Sequence, residues 1–431
     1  LVNMNDLTIG PEANGGRARW LFVAAITATM AIHVVGRVGA FCSPIHADTY
    51  VYASVGYRIA NGEVFYRDMD DVKPPGLYLL YAVAYTFLPA GRPTMIPLDT
   101  LFGFLGYWAV YFLSKSLYGW RTGLVVMVTS ALAINFFTEM DFATDAFGLS
   151  EIFMIFPATM AARQYMLSIS GKRRNHFFWC GLWVGFEFII KQTVLPLMIA
   201  VAIHWTVTTI ATRSGLRRWF TGTAMMVAGG LAAISPFVVL VIAQGTWRTA
   251  LDVVGPNAAR MLTLETAWPH KWSTVLPLWV PMVWCVFGVA WWIEARARCS
   301  RTNAEPPSPS LGKVSFLVVW VAIEAIMLVY LPLHAYHYYV ISCLPVILLS
   351  GLFWAQLGAL SGIPSPRYRI ATVSVAALLS IAFFKSATDI MIPVAIARVR
   401  SYDAVADRAY FDKIVALGKH SFGAPPPPKP E

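Results

Sequence analysis

The sequence predicts an all-α protein that crosses a membrane many times. Three observations lead there. First, 57% of the 431 residues are hydrophobic and 13% charged, against about 25% charged in a soluble chain. Second, apolar runs of about 20 residues recur along the chain, the length that spans a bilayer as a helix. They are continuous rather than alternating, which sets aside an outer-membrane barrel. Third, the basic residues behind the net charge of +10 sit in short clusters between the runs. That pattern reads as membrane topology and not as a nucleic-acid surface.

Taken in order, Arg17 and Arg19 precede a first span from Trp20 to about Val38, so its N-terminal end is expected on the cytoplasmic side. A cleavable signal peptide is the competing reading of 17–40, and it is set aside because the rest of the chain is itself membrane-embedded. Residues 39–75 then form a polar extracytoplasmic loop. Within it, 48–60 is expected as a short helix on the membrane, with Val51, Val55 and Ile59 four apart on one face. The next run, 76–89, is too short to span comfortably. It is read as a re-entrant or surface helix, because this choice puts every strong basic cluster on the cytoplasmic side.

The remaining spans are expected at 98–117, 122–138, 149–168, 177–190, 192–211, 219–243, 273–293, 314–331, 338–358 and about 370–390. With the first, that is about 11 transmembrane helices. Residues 1–395 make one transmembrane domain, and 396–431 an extracytoplasmic tail whose end, APPPPKPE, cannot form a core and is expected to be disordered. The five cysteines are scattered without metal-type spacing and read as small apolar residues.

The loop 42–81 is where the chemistry concentrates. Asp48, Glu63, Asp68, Asp70 and Asp71 lie in it, with Lys73 directly after. Carboxylates next to a membrane are costly to place and mark a functional site. The expected topology puts a second acidic loop, holding Asp141, Asp145 and Glu151, on the same side. Lys73, Lys191, Arg260, Lys271 and His337 fall on that side too. Carboxylates beside cations suit glycosyl transfer from a lipid phosphate. A carboxylate takes the proton from the acceptor hydroxyl. Cations, or a divalent metal such as Mg2+ or Mn2+, hold the departing phosphate. No glycine loop for a nucleotide sugar is present.

These residues resemble the polytopic glycosyltransferases of the GT-C fold, among them protein O-mannosyltransferases, aminoarabinose–lipid A transferases and rhizobial galacturonosyltransferases. The resemblance rests on Asp48, Tyr50 and Tyr52 after the first span, then Tyr66-Arg67-Asp68 and Lys73-Pro74-Pro75-Gly76. Weaker elements are an acid in the second loop, Lys191-Gln192, and His337-Tyr338-Tyr339 followed by Pro345. It covers roughly 15–350. It implies an inverting transferase, in the hexosyl- or pentosyltransferase class, in the inner membrane with its active site on the outer face. Its donor would be a polyprenyl-phosphate sugar and its acceptor a cell-envelope lipid or glycan, such as lipopolysaccharide. Asp48 would be the catalytic or metal-linked carboxylate, and Lys73 would contact the donor phosphate. Tyr50, Arg67, Lys191, Arg260, Lys271, His337 and Tyr338 are further candidate binding residues. Either Asp145 or Glu151 could be the second acid; the two stay open. Asp48 is followed by Thr49 and not by Glu, which argues against a protein acceptor.

Plainer readings stand beside these. Asp48 is a favoured helix N-cap. Lys73 and Lys191 could be interfacial anchors. Pro74-Pro75 suit a first helical turn. Glu187 and Glu324, inside apolar spans, could be structural. The alternative function is a transporter or flippase of a lipid-linked or anionic solute, which would also use intramembrane charge. A transporter should carry paired halves with polar groups near the midplane; the acids here gather in two loops, and no internal repeat is evident.

Overall fold

The computed structural model describes residues 16–42, 47–69, 73–139, 150–171, 173–213, 215–253, 272–302, 308–330 and 339–358, with six isolated positions beyond 358. The described regular structure is helical. Its helices are α1 (Gly16–Phe41), α2 (Ala47–Ala60), α3 (Gly76–Phe87), α4 (Arg92–Tyr118), α5 (Trp120–Glu139) and α6 (Ser150–Ile169). Then follow α7 (Asn175–Ile190), a 3-10 turn Gln192–Val194, α8 (Leu195–Ala211), α9 (Leu216–Ala243), α10 (Trp272–Thr302), α11 (Leu311–Tyr330) and α12 (Tyr339–Gly358). Ten of the expected spans coincide with α1 and α4–α12. The eleventh, about 370–390, and the tail lie outside the described residues apart from the isolated positions. Among the described residues, seven helices are long and apolar enough to cross a membrane. The chain is an integral multi-pass membrane protein.

Burial sorts the helices. In α6 and α12, 72% and 78% of the apolar stretch is buried inside the protein; in α9 the share is 11%. A helix apolar all round but little covered by protein is covered by lipid. The central α6 packs on α4 and α7, and α12 on α5, α10 and α11. The outer α9 lies along α7, where small residues permit close approach. A Cβ on Gly181 would lie 1.8 Å from the Met226 carbonyl oxygen, and one on Gly229 2.0 Å from that of Phe178.

At one membrane end α2 and α3 pack on each other over this bundle. The four-apart stripe of α2 is only part of its buried surface. Thr49, Tyr50, Tyr52, Ala53 and Ser54 are buried as well as Val55, so α2 is enclosed by the fold on most sides. A short turn follows, with Phe65 bridged to Met69 and the Tyr66 N–H bonded to the Met69 carbonyl at 2.7 Å. Tyr66 has φ of 67°, a strained conformation for a bulky residue, costing on the order of 1–3 kcal/mol. Its ring is held by burial and by Phe65 at 4.2 Å. Pro75 precedes α3 in αR geometry. Gly76 opens the helix where a Cβ would meet the Ile189 carbonyl oxygen at 2.4 Å. That glycine seats α3 on the end of α7, beside Lys191.

Candidate active site

The centre of the site is a buried ion pair between Glu151 and Lys191. Their side chains are 1% and 7% exposed. Glu151 stands in the first turn of α6, where the helix dipole favours an acid. Lys191 terminates α7 in extended conformation, its N–H bonded to the Glu187 carbonyl at 3.0 Å. The break before the 3-10 turn is what turns the lysine inward, away from the lipid interface. An ammonium buried this deeply requires a partner, and Glu151 supplies it.

The pair continues outward. Ser150 Oγ donates to Glu151 Oε2 at 3.1 Å, and the Tyr52 hydroxyl donates to Ser150 Oγ at 3.3 Å. Lys73 Nζ lies 4.7 Å from the centre of the Tyr52 ring, a cation–π distance. Tyr52 is packed in turn on Tyr78 of α3 at 5.4 Å. Four separate elements thus meet: α2, the segment before α3, the start of α6 and the end of α7. Lys73 is half-buried at the rim, and Lys191 is at the base.

Beneath this network, one helical turn back along α7, lies Glu187. It is fully buried, and neither carboxylate oxygen has a hydrogen-bond partner among the described residues. It is within Coulombic reach of Glu324 on α11. Glu324 accepts hydrogen bonds from Trp320 Nε1 at 3.0 Å and Ser342 Oγ at 2.8 Å. A separate polar set ties α1 to α4 and α5. Arg37 Nε donates to Asp99 Oδ1 at 3.0 Å, while the Tyr107 hydroxyl meets His33 Nδ1 at 3.0 Å and Asn135 Nδ2 at 3.1 Å. All five side chains are buried.

The other predicted site residues fall as follows. Asp48 is the second residue of α2, and its side chain lies outside the described residues. Tyr50 is buried two positions on. Arg67 is exposed and forms two bonds with Asp68, at 3.0 and 2.9 Å. Asp68 also accepts from the Val64 N–H at 2.7 Å. The Arg67 guanidinium first, then that N–H, hold the Asp68 carboxyl below its ordinary range. Asp145, Arg260, Lys271, His337 and Tyr338 lie outside the described residues. Among the described residues no three His, Cys, Asp or Glu side chains come together to hold a metal. The side chain of Asp48, the expected metal-linked carboxylate, lies outside the described residues.

Sequence alone marks Glu151 and Lys191 as candidates and Tyr52 as part of the resemblance, but it does not show that the first two pair or that Ser150 links Tyr52 to Glu151.

No family model matches the chain, and no curated protein matches its sequence. Solved structures do. ArnT from Cupriavidus metallidurans, in its structure bound to undecaprenyl phosphate, superposes with a TM-score of 0.56 at 13% identity, over 92% of this chain and 77% of that one. The chain has the GT-C fold. The apo oligosaccharyltransferase of Archaeoglobus fulgidus matches with a TM-score of 0.56 at 12% identity, over 94% of this chain and 60% of that one. Arabinosyltransferase EmbB from Mycobacterium smegmatis gives 0.55 at 14%, over 98% of this chain and 41% of that one.

Proposed function

We propose that the chain is an inverting glycosyltransferase that moves a sugar from a polyprenyl-phosphate donor to a lipid or glycan acceptor of the cell envelope. The observation that carries this reading is the convergence of Lys73, Tyr52, Ser150, Glu151 and Lys191 at one end of a GT-C bundle. ArnT, solved with undecaprenyl phosphate, shares that fold. A lipid phosphate approaching from the membrane meets Lys73 at the rim, with Lys191 behind it.

In this reading the acceptor hydroxyl oxygen attacks the anomeric carbon as the bond to the phosphate oxygen breaks. The electron pair leaves on the phosphate, and Lys73 stabilises the charge that grows there. The hydroxyl proton passes to a carboxylate. Glu151 is committed to Lys191 and Ser150, so its role is to hold that lysine. Asp48 is then the first choice as base and Asp145 the second. The outer face of the plasma membrane and a hexosyl or pentosyl donor complete the proposal. A Mg2+ or Mn2+ ion on Asp48 is a separate proposal, and no step above runs through it. Chelation that abolishes turnover, with recovery on adding either ion, supports it.

The test follows release of free lipid phosphate by detergent-purified protein given a panel of polyprenyl-phosphate sugars and membrane lipid extract. Wild type should turn over one donor. Asp48→Asn should lose about 100-fold or more in kcat, while Lys73→Ala should raise KM for the donor as well. Asp48→Asn matching wild type moves the base to Asp145. A wild type inert towards every donor overturns the transferase reading and favours transport of a lipid-linked solute.

A further inference from the structure

The end of the bundle opposite the Glu151–Lys191 pair carries a second built feature. A cavity of about 560 Å³ opens between the end of α6 and the starts of α7 and α9. Arg173, Arg174, Arg217 and Arg218 all line it. None of the four forms an ion pair among the described residues. Neither α7 nor α9 has a side-chain cap at its N-terminus, so two positive helix ends face the same space. Arg218 is steadied by the Trp205 ring at 5.8 Å. Beyond it a smaller cavity of about 220 Å³ is lined by Ser170, Thr208, Thr209, Thr212 and Ser310.

A second, independent observation says what kind of anion fits. Along the same α7–α9 seam, bordered by α8, runs a groove of about 360 Å³ with an almost wholly apolar lining. It shares no lining residue with the arginine cavity but follows it along both helices. Phe177 and Met225 line the cavity, while Cys180 and Met226 line the groove. From Arg218 to Ile234, at the groove's far end, is about 24 Å at 1.5 Å per residue, enough to cross one leaflet of a ~30 Å hydrocarbon core.

We propose that cavity and groove are one binding site for an anionic lipid of the leaflet opposite the Glu151–Lys191 site. The lipid phosphate sits among Arg173, Arg174, Arg217 and Arg218, and one chain lies along the groove past Gly185 and Gly230. The smaller cavity beside Arg218 receives a hydroxylated headgroup. A free phosphate has no use for the groove, and a neutral lipid none for four arginines; the two features together select a phosphate carrying a long apolar chain. The site lies a full α6 length, about 30 Å, from Glu151, and it stands independently of the transferase reading.

The experiment is native mass spectrometry of the full chain, released from neutral detergent after adding phosphatidylglycerol, phosphatidylcholine or glycerol 3-phosphate. Wild type should retain one phosphatidylglycerol about tenfold better than phosphatidylcholine. Arg173→Gln/Arg174→Gln/Arg217→Gln/Arg218→Gln should bring the two lipids to parity. Gly230→Leu should lower phosphatidylglycerol retention by filling the groove. A Cβ there meets nothing closer than the Gly181 carbonyl oxygen at 3.6 Å, so the backbone accepts it. Equal retention of the two lipids by wild type overturns the proposal. So does displacement of phosphatidylglycerol by equimolar glycerol 3-phosphate, which marks a site for the anion alone, or full retention by Gly230→Leu, which empties the groove of its role. If the fourfold variant does not fold, the wild-type ratio and Gly230→Leu decide the matter.

Discussion

The α6–α7 hairpin has two ends, and they treat charge in opposite ways. At one end Glu151 and Lys191 are buried against each other. At the other, Arg173, Arg174, Arg217 and Arg218 stand exposed around an open cavity. The difference follows from solvation. Taking an ion from water costs several kcal/mol unless a partner and further hydrogen bonds compensate. The first end meets that condition with an opposite charge plus the Ser150 and Tyr52 hydroxyls. The second avoids it by keeping its charges wet. The paired end is therefore rigid and committed, whereas the open end has binding capacity left over.

The largest expected effect breaks the paired end. Lys191→Met leaves Glu151 buried without its cation and should destabilise the protein by about 3–5 kcal/mol, read as thermal unfolding in detergent. Glu151→Gln/Lys191→Met removes both charges and should recover most of that loss. If the double variant is folded yet inactive with polyprenyl-phosphate donors, the lysine serves the reaction as well as the fold. If the double variant is as unstable as the single, the pair is not the unit assumed above. The fourfold Arg→Gln change at the open end should shift stability by no more than about 0.5 kcal/mol per substitution.

Glycines sharpen the same contrast. Gly76→Ala drives a Cβ into the Ile189 carbonyl oxygen at the paired end and should cost about 1–3 kcal/mol, with loss of turnover as α3 shifts off α7. Gly230→Ala, in the groove, meets only an ordinary contact at 3.6 Å. It should be neutral or stabilising by up to about 1 kcal/mol, through helix propensity. A smaller effect at the paired end is expected of Tyr52→Phe, which removes one hydrogen bond to Ser150, worth about 1 kcal/mol. It leaves Lys73 its aromatic platform. Donor KM should therefore change less in Tyr52→Phe than in Tyr52→Leu.

The sequence made the fold legible because apolar length alone decides which segments cross a membrane. Ten helices lie where runs of apolar residues put them. The candidate site was legible as residue types but not as contacts. Glu151 and Lys191 are 40 positions apart, and periodicity within one helix carries no information about which helix faces it. The Arg37–Asp99 pair shows what could have been read. An arginine and an aspartate inside two neighbouring apolar runs ask for each other, and they do meet. Glu187 and Glu324 show the limit of that rule. Both are intramembrane acids, yet Glu324 is satisfied by Trp320 and Ser342 while Glu187 has no hydrogen-bond partner among the described residues. The α2 stripe understated burial because α2 is covered by α3, a contact that the pattern within α2 does not contain.

The smallest effect tests a third kind of charge pair, neither buried nor unpaired. Arg67 and Asp68 are bonded to each other on an exposed turn, so solvent screens them and little stability is at stake. The Asp68 carboxyl is held below its ordinary value near 3.8 by Arg67 and the Val64 N–H. A depressed carboxylate stabilises the turn fully above that ordinary value, and the contribution fades as pH falls through the lower, folded value. Protection of the Val64 amide from hydrogen exchange, measured against Asp68→Asn as reference, should be constant down to about pH 4 and fall below it. Salt at about 1 M should weaken the same protection, because the Debye length there is only about 3 Å. Neither change should loosen the backbone at Lys191, whose partner is shielded from both. Equal sensitivity of the two regions would mean that water reaches Glu151 and that the paired end is open after all.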